Sequence, residues 1–458
     1  MTEPTPGTDL PPTADALRRR LEERSALIGI LGLGYVGLPL AIAFARQGFR
    51  VLGFDVDPVK VEHLAAGESY IEHIDGGELA ELAAAGRLAA TVDFERLGEP
   101  DALLLCVPTP LTPQREPDMS YVVATAESVA ARLRPGQLVV LESTTYPGTT
   151  DELLRGILED CHGRQRLTCG EHFFLAYSPE REDPANPSFS TSTIPKVVGG
   201  ADPVSGDLAE ALYHGVVAKT VRVSSARAAE ATKLTENIFR AVNIALVNEL
   251  KMVYDRMGID VWEVLDAAAT KPFGFMRFDP GPGWGGHCIP VDPFYLSWKA
   301  REYGMSSRFI ELAGEVNVAM PQYVVSKLQR ALNDRGKAVK GSRVLLLGLA
   351  YKRDVGDPRE SPAFEILDLL LHLGADVTYH DPHVPEAPSM RTWPDLPPLR
   401  SVELSEETLV AQDAVVLVTD HSTVDYRRVL DHAPLVLDSR GIYRRLAGGD
   451  GGGRVVAT

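Results

Sequence analysis

The chain has 458 residues, of which 45% are hydrophobic and 24% are charged, and its formal net charge is −17 at pH 7. This length predicts two or three domains, and the acidic balance argues against nucleic acid or an anionic membrane as a partner. The 4 cysteines are too few for a disulfide framework, and no apolar stretch approaches the roughly 18–20 residues that span a bilayer. We therefore expect a cytoplasmic protein.

The N-terminal half is predicted to be a dinucleotide-binding domain. Residues 1–24 are expected to form a disordered tail and a short charged helix, and from residue 25 to 223 buried apolar runs alternate with helical stretches. The predicted strands are 27–31, 50–54, 102–107 and 137–141, and the predicted helices are 38–47 and 120–133. This alternation is typical of a doubly wound parallel sheet.

The segment after the first strand has the G-x-G-x-x-G pattern of dinucleotide-binding folds. In this pattern the first glycine permits a tight turn, the second lets a pyrophosphate approach, and the third lets helix and strand pack closely. The next strand ends at Asp55, whose carboxylate would accept hydrogen bonds from the adenine ribose and repel a 2′-phosphate. The alternative is that Asp55 caps a helix ahead of Pro58. The sequence thus predicts an NAD site formed by Gly32, Gly34, Tyr35, Val36, Gly37 and Asp55.

Residues 224–335 are predicted to form a central helical domain, with helices at 225–257, 260–269 and 308–334. The loop before the last helix, from Gly281 to Pro293, is dense in glycine and contains Cys288. A thiol can hold an acyl group, and a dinucleotide can accept hydride. Together they predict the oxidation of an alcohol or an aldehyde to the acid level.

The nucleophile at this position must be a thiolate, and an unperturbed thiol is mostly protonated at neutral pH. Any one of three groups would lower the pKa of the Cys288 thiol: His287, Lys233 or a helix N-terminus. The charge of Asp292 would raise that pKa. We therefore expect Asp292 to orient a water molecule or a lysine, and a turn or cap role for it is the alternative.

The strand and helix alternation returns after Gly336. Predicted strands are 343–347, 376–380, 414–419 and 435–438, with a helix at 361–373. Asp381 ends the second strand of this half, just as Asp55 ends the second strand of the N-terminal domain. The glycine pattern at Gly348 is incomplete, however, so residues 336–446 are predicted to bind a different ligand. Residues 447–458 are predicted to be a flexible tail. The predicted fold is α/β, with two doubly wound Rossmann-like domains joined by a central helical domain.

Several long motifs resemble those of the nucleotide-sugar (UDP-glucose/GDP-mannose) dehydrogenases, and most closely the UDP-N-acetylglucosamine 6-dehydrogenase branch. The motifs are GLGYVGLPLA at 32–41, CVPTP at 106–110, ESTTYPGTT at 142–150, YSPER at 177–181, GPGWGGHCIPVDPFYL at 281–296 and YKRDVGDPRESPA at 351–363. The resemblance implies an N-terminal NAD domain, central helices that form a homodimer, and a C-terminal domain that binds a UDP-sugar.

The resemblance also implies the reaction. The C6 alcohol of the sugar is oxidised by four electrons, two NAD are reduced, and Cys288 carries a thiohemiacetal and then a thioester that water hydrolyses. Lys233 would stabilise developing oxyanion charge beside Asn237, Asp292 would handle protons and water, and Glu180 and Thr144 would position water. The implied catalytic residues are Cys288, Lys233, Asp292, Asn237, Glu180 and Thr144.

The remaining implied residues bind ligands. Thr109, Thr144 and Arg359 would contact the cofactor, and Arg277 would reach the substrate of a partner subunit. The implied substrate-binding residues are Glu180, Arg181, Lys233, Asn237, Arg277, Gly285, His287, Lys352 and Arg440. No metal site is expected.

Neither the exact sugar nor the reaction class is fixed by these motifs. His287 stands before the cysteine as in N-acetylhexosamine enzymes, and Val291 replaces a lysine that UDP-glucose enzymes carry. UDP-N-acetylglucosamine is the predicted substrate, and UDP-N-acetylmannosamine, UDP-N-acetylgalactosamine and UDP-glucose are the rival substrates. A two-electron dehydrogenase or epimerase-like enzyme and an inactive sugar-nucleotide sensor are the rival functions.

Overall fold

The computed structural model describes residues 11–71, 74–112, 114–160, 166–181, 193–286, 289–390, 392–447 and 453–458. The chain forms two compact units. The N-terminal unit comprises Met1–Glu236 and Arg301–Tyr303, and the C-terminal unit comprises Asn237–Ala300 and Gly304–Thr458. The boundaries of three separate domains stay a prediction.

The N-terminal unit is built on an eight-stranded sheet. Its strands are β1 Leu27–Leu31, β2 Arg50–Phe54, β3 Leu88–Thr91, β4 Ala102–Leu105, β5 Leu138–Leu141, β6 Phe174–Tyr177, β7 Lys196–Gly200 and β8 Thr220–Arg222. Their order is β3-β2-β1-β4-β5-β6-β7-β8; the β6–β7 pair is antiparallel, and the other described pairs of this sheet are parallel. The chain reverses its direction of travel across the sheet between β1 and β4, and ligands of doubly wound sheets bind at such a switch point.

Helices cover both faces of this sheet. They are α1 Pro12–Glu22, α2 Gly37–Arg46, α3 Pro58–Ala65, α4 Gly76–Ala84, α5 Ser120–Ala130, α6 Arg155–Glu159 and α7 Pro203–Tyr213, with a 3-10 helix at Phe94–Gly98 and a π-helical turn at Thr149–Leu154. Successive strand residues contribute to opposite cores: Leu104 packs on one face, and Leu103 and Leu105 on the other. A strand buried on both faces reads as a continuous apolar run, which explains why β4 was recognisable in the sequence.

The C-terminal unit contains a second, five-stranded sheet in which every described pair is parallel. Its strands are β9 Arg343–Leu347, β10 Asp376–His380, β11 Ala414–Leu417, β12 Val436–Asp438 and β13 Val455–Ala457, in the order β10-β9-β11-β12-β13. The remaining helices are α8 Ala226–Met257, which begins in the N-terminal unit, α9 Val261–Ala268, α10 Asp292–Glu302, α11 Arg308–Asn333, α12 Pro362–His372, α13 Glu406–Val410, α14 Tyr426–His432 and α15 Ile442–Ala447.

The predicted fold class is confirmed, since two doubly wound sheets are joined by a helical segment. Two segments that were predicted to be a loop and a flexible tail contain a helix and a strand. A helix, α10, follows the cysteine loop directly and begins at Asp292; Pro293 suits its first turn because that position needs no donor. The tail 447–458 ends in β13, which pairs with β12, whereas residues 448–452 lie outside the described residues. Among the described residues, no helix has the length and apolar character needed to cross a membrane.

Candidate active site

The glycines of the fingerprint are held by close backbone contacts at the end of β1. Gly32 has φ +91°, and a Cβ there would lie 2.5 Å from the carbonyl oxygen of Cys106. A Cβ on Gly37 would lie 1.8 Å from the carbonyl oxygen of Gly32, so only glycine lets α2 pack here. Gly34 has no described heavy atom within 4 Å of its Cβ position and therefore faces open space.

Asp55 follows β2 and is 5% exposed. Its Oδ2 accepts hydrogen bonds from the Leu33 amide at 2.9 Å and from Lys60 Nζ at 3.1 Å, and its Oδ1 accepts from the Asp57 amide at 3.0 Å. Asp57, not Asp55, caps α3, because its side chain accepts from the Val59 amide. The interpretation of Asp55 as the cap is therefore wrong, and Lys60 is a cation beside it that the sequence did not indicate.

These residues fit a dinucleotide. The open side of Gly34 lets a pyrophosphate approach, the N-terminus of α2 presents the positive end of its dipole, and the Asp55 carboxylate lies at the same edge of the sheet. The remaining predicted cofactor residues of this unit lie near that edge. Tyr35 and Val36 precede α2, Thr109 follows β4, and Thr144 follows β5.

Glu180, Arg181 and Lys233 are brought together in the N-terminal unit. Lys233, on α8, is 7% exposed, and its Nζ donates a hydrogen bond to the backbone carbonyl of Glu180 at 2.7 Å. The Arg181 amide donates to Glu180 Oε1 at 2.7 Å. The Arg181 guanidinium pairs with Glu236, which lies one turn after Lys233 on the same helix. The segment that follows β6 is thus fixed against α8 by both cations.

Sequence reasoning missed the residues that support this segment. Lys196 opens β7 and places its Nζ 3.5 Å from Glu180 Oε2 and 2.7 Å from Glu142 Oε2. Glu230, one turn before Lys233, accepts hydrogen bonds from the amides of Gly148 and Thr150, at the start of the π-helical turn that follows Thr144. In the sequence, Lys196 is marked only as a lysine at the start of an otherwise apolar strand, β7.

In the C-terminal unit, Asn237 and Asp292 form a buried pair. They are 1% and 2% exposed, and Asn237 Nδ2 donates a hydrogen bond to Asp292 Oδ2. Arg240, one turn further along α8, donates to Asn237 Oδ1. The predicted neighbour of Asn237 on the helix, Lys233, lies in the N-terminal unit.

The cysteine loop is described up to Gly286, and His287 and Cys288 lie outside the described residues. The Gly281 amide donates to Asn248 Oδ1 at 2.9 Å, and a Cβ on Gly281 would lie 2.8 Å from Arg440 Nη1. A Cβ on Gly285 would lie 2.9 Å from Tyr351 Cβ. The structure therefore brings the loop, Arg440 and the segment that begins at Tyr351 together, and it explains the glycines by close packing.

The two remaining predicted arginines of this unit contact carboxylates of the same chain. Arg359 makes a two-pronged contact with Asp357, at 2.8 and 2.6 Å. Arg277 pairs with Asp266 at 2.5 Å and with Asp279 at 2.8 Å. Lys352, the other predicted cation, is partly buried.

Asp381 stands where Asp55 stands in the first sheet, but its carboxylate is occupied. Five donors of the chain surround it: the amides of Leu349, Ala350, His383 and Val384, and Nε2 of His421 at 3.0 Å. Although burial opposes its charge, the hydrogen bond and charge of His421 and the backbone donors lower the pKa of Asp381 to about 2. Because these donors occupy the Asp381 carboxylate, it is not available to a ribose in the way that is expected of Asp55.

Two histidines lie beside Asp381. Asp354, His383 and His421 place possible metal-ligand atoms within 4.8 Å of one another. Nδ1 of His421 accepts the Asp354 amide at 3.0 Å, and its Nε2 faces Asp381. Both nitrogens of that ring are thus engaged, which favours a structural role for it.

Comparisons with known proteins agree with this arrangement. Models of the UDP-glucose/GDP-mannose dehydrogenase family match three segments: the NAD binding domain at 26–217, the central domain at 227–319 and the UDP binding domain at 345–445. The chain is 37% identical to a UDP-N-acetyl-D-glucosamine 6-dehydrogenase of Pseudomonas aeruginosa over 86% of this chain and 90% of that protein. It is 34% identical to the UDP-N-acetyl-D-mannosamine dehydrogenase of Escherichia coli K12, over 92% and 99%. A UDP-D-ManNAc dehydrogenase structure from Pyrococcus horikoshii has a TM-score of 0.81 and 32% identity, covering 91% and 96% of the two chains.

Proposed function

The chain belongs to the UDP-glucose/GDP-mannose dehydrogenase family and is an NAD-dependent nucleotide-sugar 6-dehydrogenase, and from this premise we propose that its substrate is UDP-N-acetylglucosamine. Two observations support this sugar. The Pseudomonas relative named for it is 37% identical, against 34% for the mannosamine relative. His287 also precedes the cysteine, as in the N-acetylhexosamine branch that the loop resembles.

The observation that carries the mechanism is the position of Lys233 beside Glu180. The Lys233 side chain is buried, and its ammonium is held by the Glu180 carbonyl at 2.7 Å. A preorganised cation in a water-poor site stabilises developing negative charge by roughly 3 kcal/mol. We propose that Lys233 stabilises the sugar oxygen as the hydroxyl proton and the C6 hydride leave. NAD, when bound, accepts one hydride in each of the two oxidations.

Cys288 then retains the aldehyde. Its sulfur adds to the aldehyde carbon, and the oxygen takes a proton to give a thiohemiacetal. Loss of a second hydride and of the hydroxyl proton gives a thioester, and water releases the acid and restores the thiol. Capture prevents escape of the aldehyde between the two oxidations. Asn237 and Asp292 form a buried polar pair in the same unit as the cysteine loop, and we assign to Asp292 the handling of protons.

Thioester hydrolysis needs an oriented water molecule. We assign this role to the Glu180 carboxylate, with Thr144 as a second contact, because both follow strands of the NAD-binding sheet at its carboxyl edge. Oε1 of Glu180 accepts the Arg181 amide, so the carboxylate has a defined direction. A water molecule held by it would approach the thioester carbon with its proton directed to a base.

For the nucleotide, we propose that Arg440 and Lys352 bind the diphosphate. Arg440 adjoins Gly281 of the cysteine loop, which would bring the diphosphate close to the reacting end of the sugar. Guanidinium groups suit phosphate because they donate two parallel hydrogen bonds. Gly285 leaves no room for a side chain between the loop and Tyr351.

We also propose that the protein is a homodimer through its central helices. Phe239, Leu246 and Val253 recur every seven residues on α8 and are 47%, 50% and 44% exposed. Residues at this spacing lie on one helix face, and an exposed apolar stripe of this kind marks an association site. A second copy of the chain covers it, and Arg277 would reach the substrate of that partner.

The direct test supplies UDP-N-acetylglucosamine, its mannosamine and galactosamine epimers, and UDP-glucose, and counts NADH formed per sugar consumed. We expect two NADH per sugar and the highest kcat/KM for UDP-N-acetylglucosamine. One NADH per sugar would support a two-electron enzyme instead. A higher kcat/KM for an epimer would overturn the assignment of the sugar.

A further inference from the structure

We propose that Lys196 is a positioning residue for the reaction, and that it holds the Glu180 carboxylate in the geometry that thioester hydrolysis needs. The inference rests on the proposed function, because it gives Lys196 a task only if Glu180 orients the hydrolytic water. It concerns one buried cluster in the N-terminal unit: Lys196, Glu142, Tyr213 and the segment Pro179–Glu180.

The cluster is built around the Lys196 ammonium, and this side chain is 4% exposed. Its Nζ lies 2.7 Å from Glu142 Oε2, 3.3 Å from the Pro179 carbonyl oxygen and 3.5 Å from Glu180 Oε2. One cation thus contacts a buried counterion, the backbone that precedes Glu180, and the Glu180 carboxylate itself.

Glu142 and Tyr213 hold the Lys196 ammonium in place. Glu142 is 2% exposed, and its other oxygen, Oε1, accepts a hydrogen bond from the Tyr213 hydroxyl. The Tyr213 ring lies under the ammonium, with Nζ 5.1 Å from the ring centroid. Burial disfavours an ammonium, but the charges of Glu142 and Glu180 raise the pKa of Lys196 above its ordinary value, so it stays charged.

The two carboxylates have different surroundings. Glu142 is enclosed by Lys196 and Tyr213, whereas Glu180 is only partly buried and contacts Lys196 at the longer distance. Glu142 therefore serves as the structural counterion, and we assign the orientation of water to Glu180, the more exposed of the two carboxylates. A short ion pair for Glu142 alone would not require Nζ to contact the Pro179 carbonyl as well.

The same segment is also held by Lys233, which donates to the Glu180 carbonyl at 2.7 Å. Two ammonium groups from different elements, β7 and α8, thus bind adjacent backbone carbonyls, those of Pro179 and Glu180. Loss of the Lys196 contacts would release this segment at Pro179 and displace the Glu180 carboxylate, whereas the contact of Lys233 with the Glu180 carbonyl is a separate anchor that remains. Displacements of this kind slow catalysis even when the reacting groups are unchanged.

The test is a set of variants of the full-length enzyme, followed by rapid mixing with NAD and UDP-N-acetylglucosamine. Both hydride transfers precede hydrolysis, so a defect in hydrolysis leaves a burst of two NADH per active site before a slow steady state. For Lys196→Met we expect that burst, a kcat lowered roughly 10- to 100-fold, and a KM for the sugar within about threefold of the wild-type value. Lys196→Arg keeps a cation and should recover part of the loss.

Lys196→Met leaves the buried Glu142 without its counterion, so we expect this variant to be less stable than the wild type. The double variant Glu142→Gln with Lys196→Met removes both charges and therefore separates the effect on stability from the effect on catalysis. Removing both charges restores the thermal midpoint, but it does not restore the contacts of Nζ with Pro179 and Glu180. We therefore expect the burst and the low kcat to persist. Lys219→Met, at an exposed position just before β8, is the control and should behave as the wild type.

Two results would overturn the inference. If the double variant hydrolyses at the wild-type rate, Lys196 serves only to neutralise Glu142. If Lys196→Met lowers kcat without a burst, the step it supports precedes hydrolysis. A wild-type enzyme that yields one NADH per sugar would instead refute the proposed function, and the role of Lys196 with it.

Discussion

Lys251 is a buried lysine of α8 in the C-terminal unit, and we expect its charge to lower the stability of the folded state. It is 2% exposed, and its Nζ has two long contacts, at 3.5 Å to the Ser439 carbonyl and at 3.4 Å to Thr458 Oγ1. Within the described part of the chain, no carboxylate forms an ion pair with it. Burial lowers the pKa of Lys251 from 10.5 to about 7.

The direction of the pH effect follows from proton counting. Below pH ~7 the ammonium is charged in both states, and the folded state bears the full cost of burying it. Between pH ~7 and ~10.5 the unfolded chain binds more protons than the folded one, so stability rises with pH. The pKa falls by 10.5 − 7 = 3.5 pH units, which corresponds to about 5 kcal/mol at about 1.4 kcal/mol per pH unit.

Lys251→Met replaces the ammonium by an apolar group of similar length. It loses two weak hydrogen bonds, worth about 1–2 kcal/mol together, so we expect a net stabilisation of about 3–4 kcal/mol at pH 7. At roughly 2–4 °C per kcal/mol, the thermal midpoint of the C-terminal unit should rise by about 6–16 °C. The gain should shrink as the pH approaches ~10.

The assay is calorimetry of both proteins between about pH 6.5 and 9.5, a range that spans most of the difference between the two pKa values, with Lys340→Met as the control. Lys340 is exposed in the same unit, so its replacement should change the midpoint little and equally at every pH. A Lys251→Met protein that is less stable than the wild type, or a gain that does not vary with pH, would refute the burial cost assigned to Lys251.

The other predictions concern the cofactor and the dimer. Asp55→Ala should raise KM for NAD roughly 10-fold. It should also improve the use of NADP, because Lys60, 3.1 Å from the carboxylate, becomes available to a 2′-phosphate. Adding Lys60→Ala should remove the gain for NADP, and an unchanged preference for NAD in Asp55→Ala would contradict the role of Asp55 in binding the ribose. Gly37→Ala should abolish NAD binding measured by calorimetry, because its Cβ would lie 1.8 Å from the Gly32 carbonyl oxygen; normal affinity would show that the fingerprint is not the site. Leu246→Glu should convert the dimer to a monomer in sedimentation experiments, because it places a charge within the apolar stripe of α8; an intact dimer would place the interface elsewhere.

Much of the fold was readable because local patterns determine it. The predicted strands 27–31, 50–54, 343–347 and 376–380 match β1, β2, β9 and β10 residue for residue, since buried parallel strands are continuous apolar runs bounded by polar turns. Helix α10 was missed because its sequence, DPFYLSWKARE, has no clear apolar face. Strand β13 was missed because three residues after a glycine run carry little periodic signal.

The candidate site was readable in part. Spacing located Asp55 at the end of β2, and motif order identified Glu180 and Lys233, which the fold brings together. The contact between Glu142 and Lys196 joins residues 54 positions apart, one just after β5 and one at the start of β7, and no local pattern records such a pairing. Lys60 and Lys251 were missed for the same reason, because their importance lies in surroundings that only the folded chain creates.

The central claim is that Cys288 carries the sugar through the oxidation. It is tested most directly by quenching Glu180→Gln enzyme in acid during turnover with NAD and UDP-N-acetylglucosamine, followed by peptide mass spectrometry. We predict that the peptide with Cys288 gains the mass of the substrate less four hydrogen atoms, as a thioester requires, and that Cys288→Ser enzyme shows no such adduct. Continued formation of the sugar acid by Cys288→Ser at the wild-type rate, with no adduct on any cysteine, would contradict covalent capture.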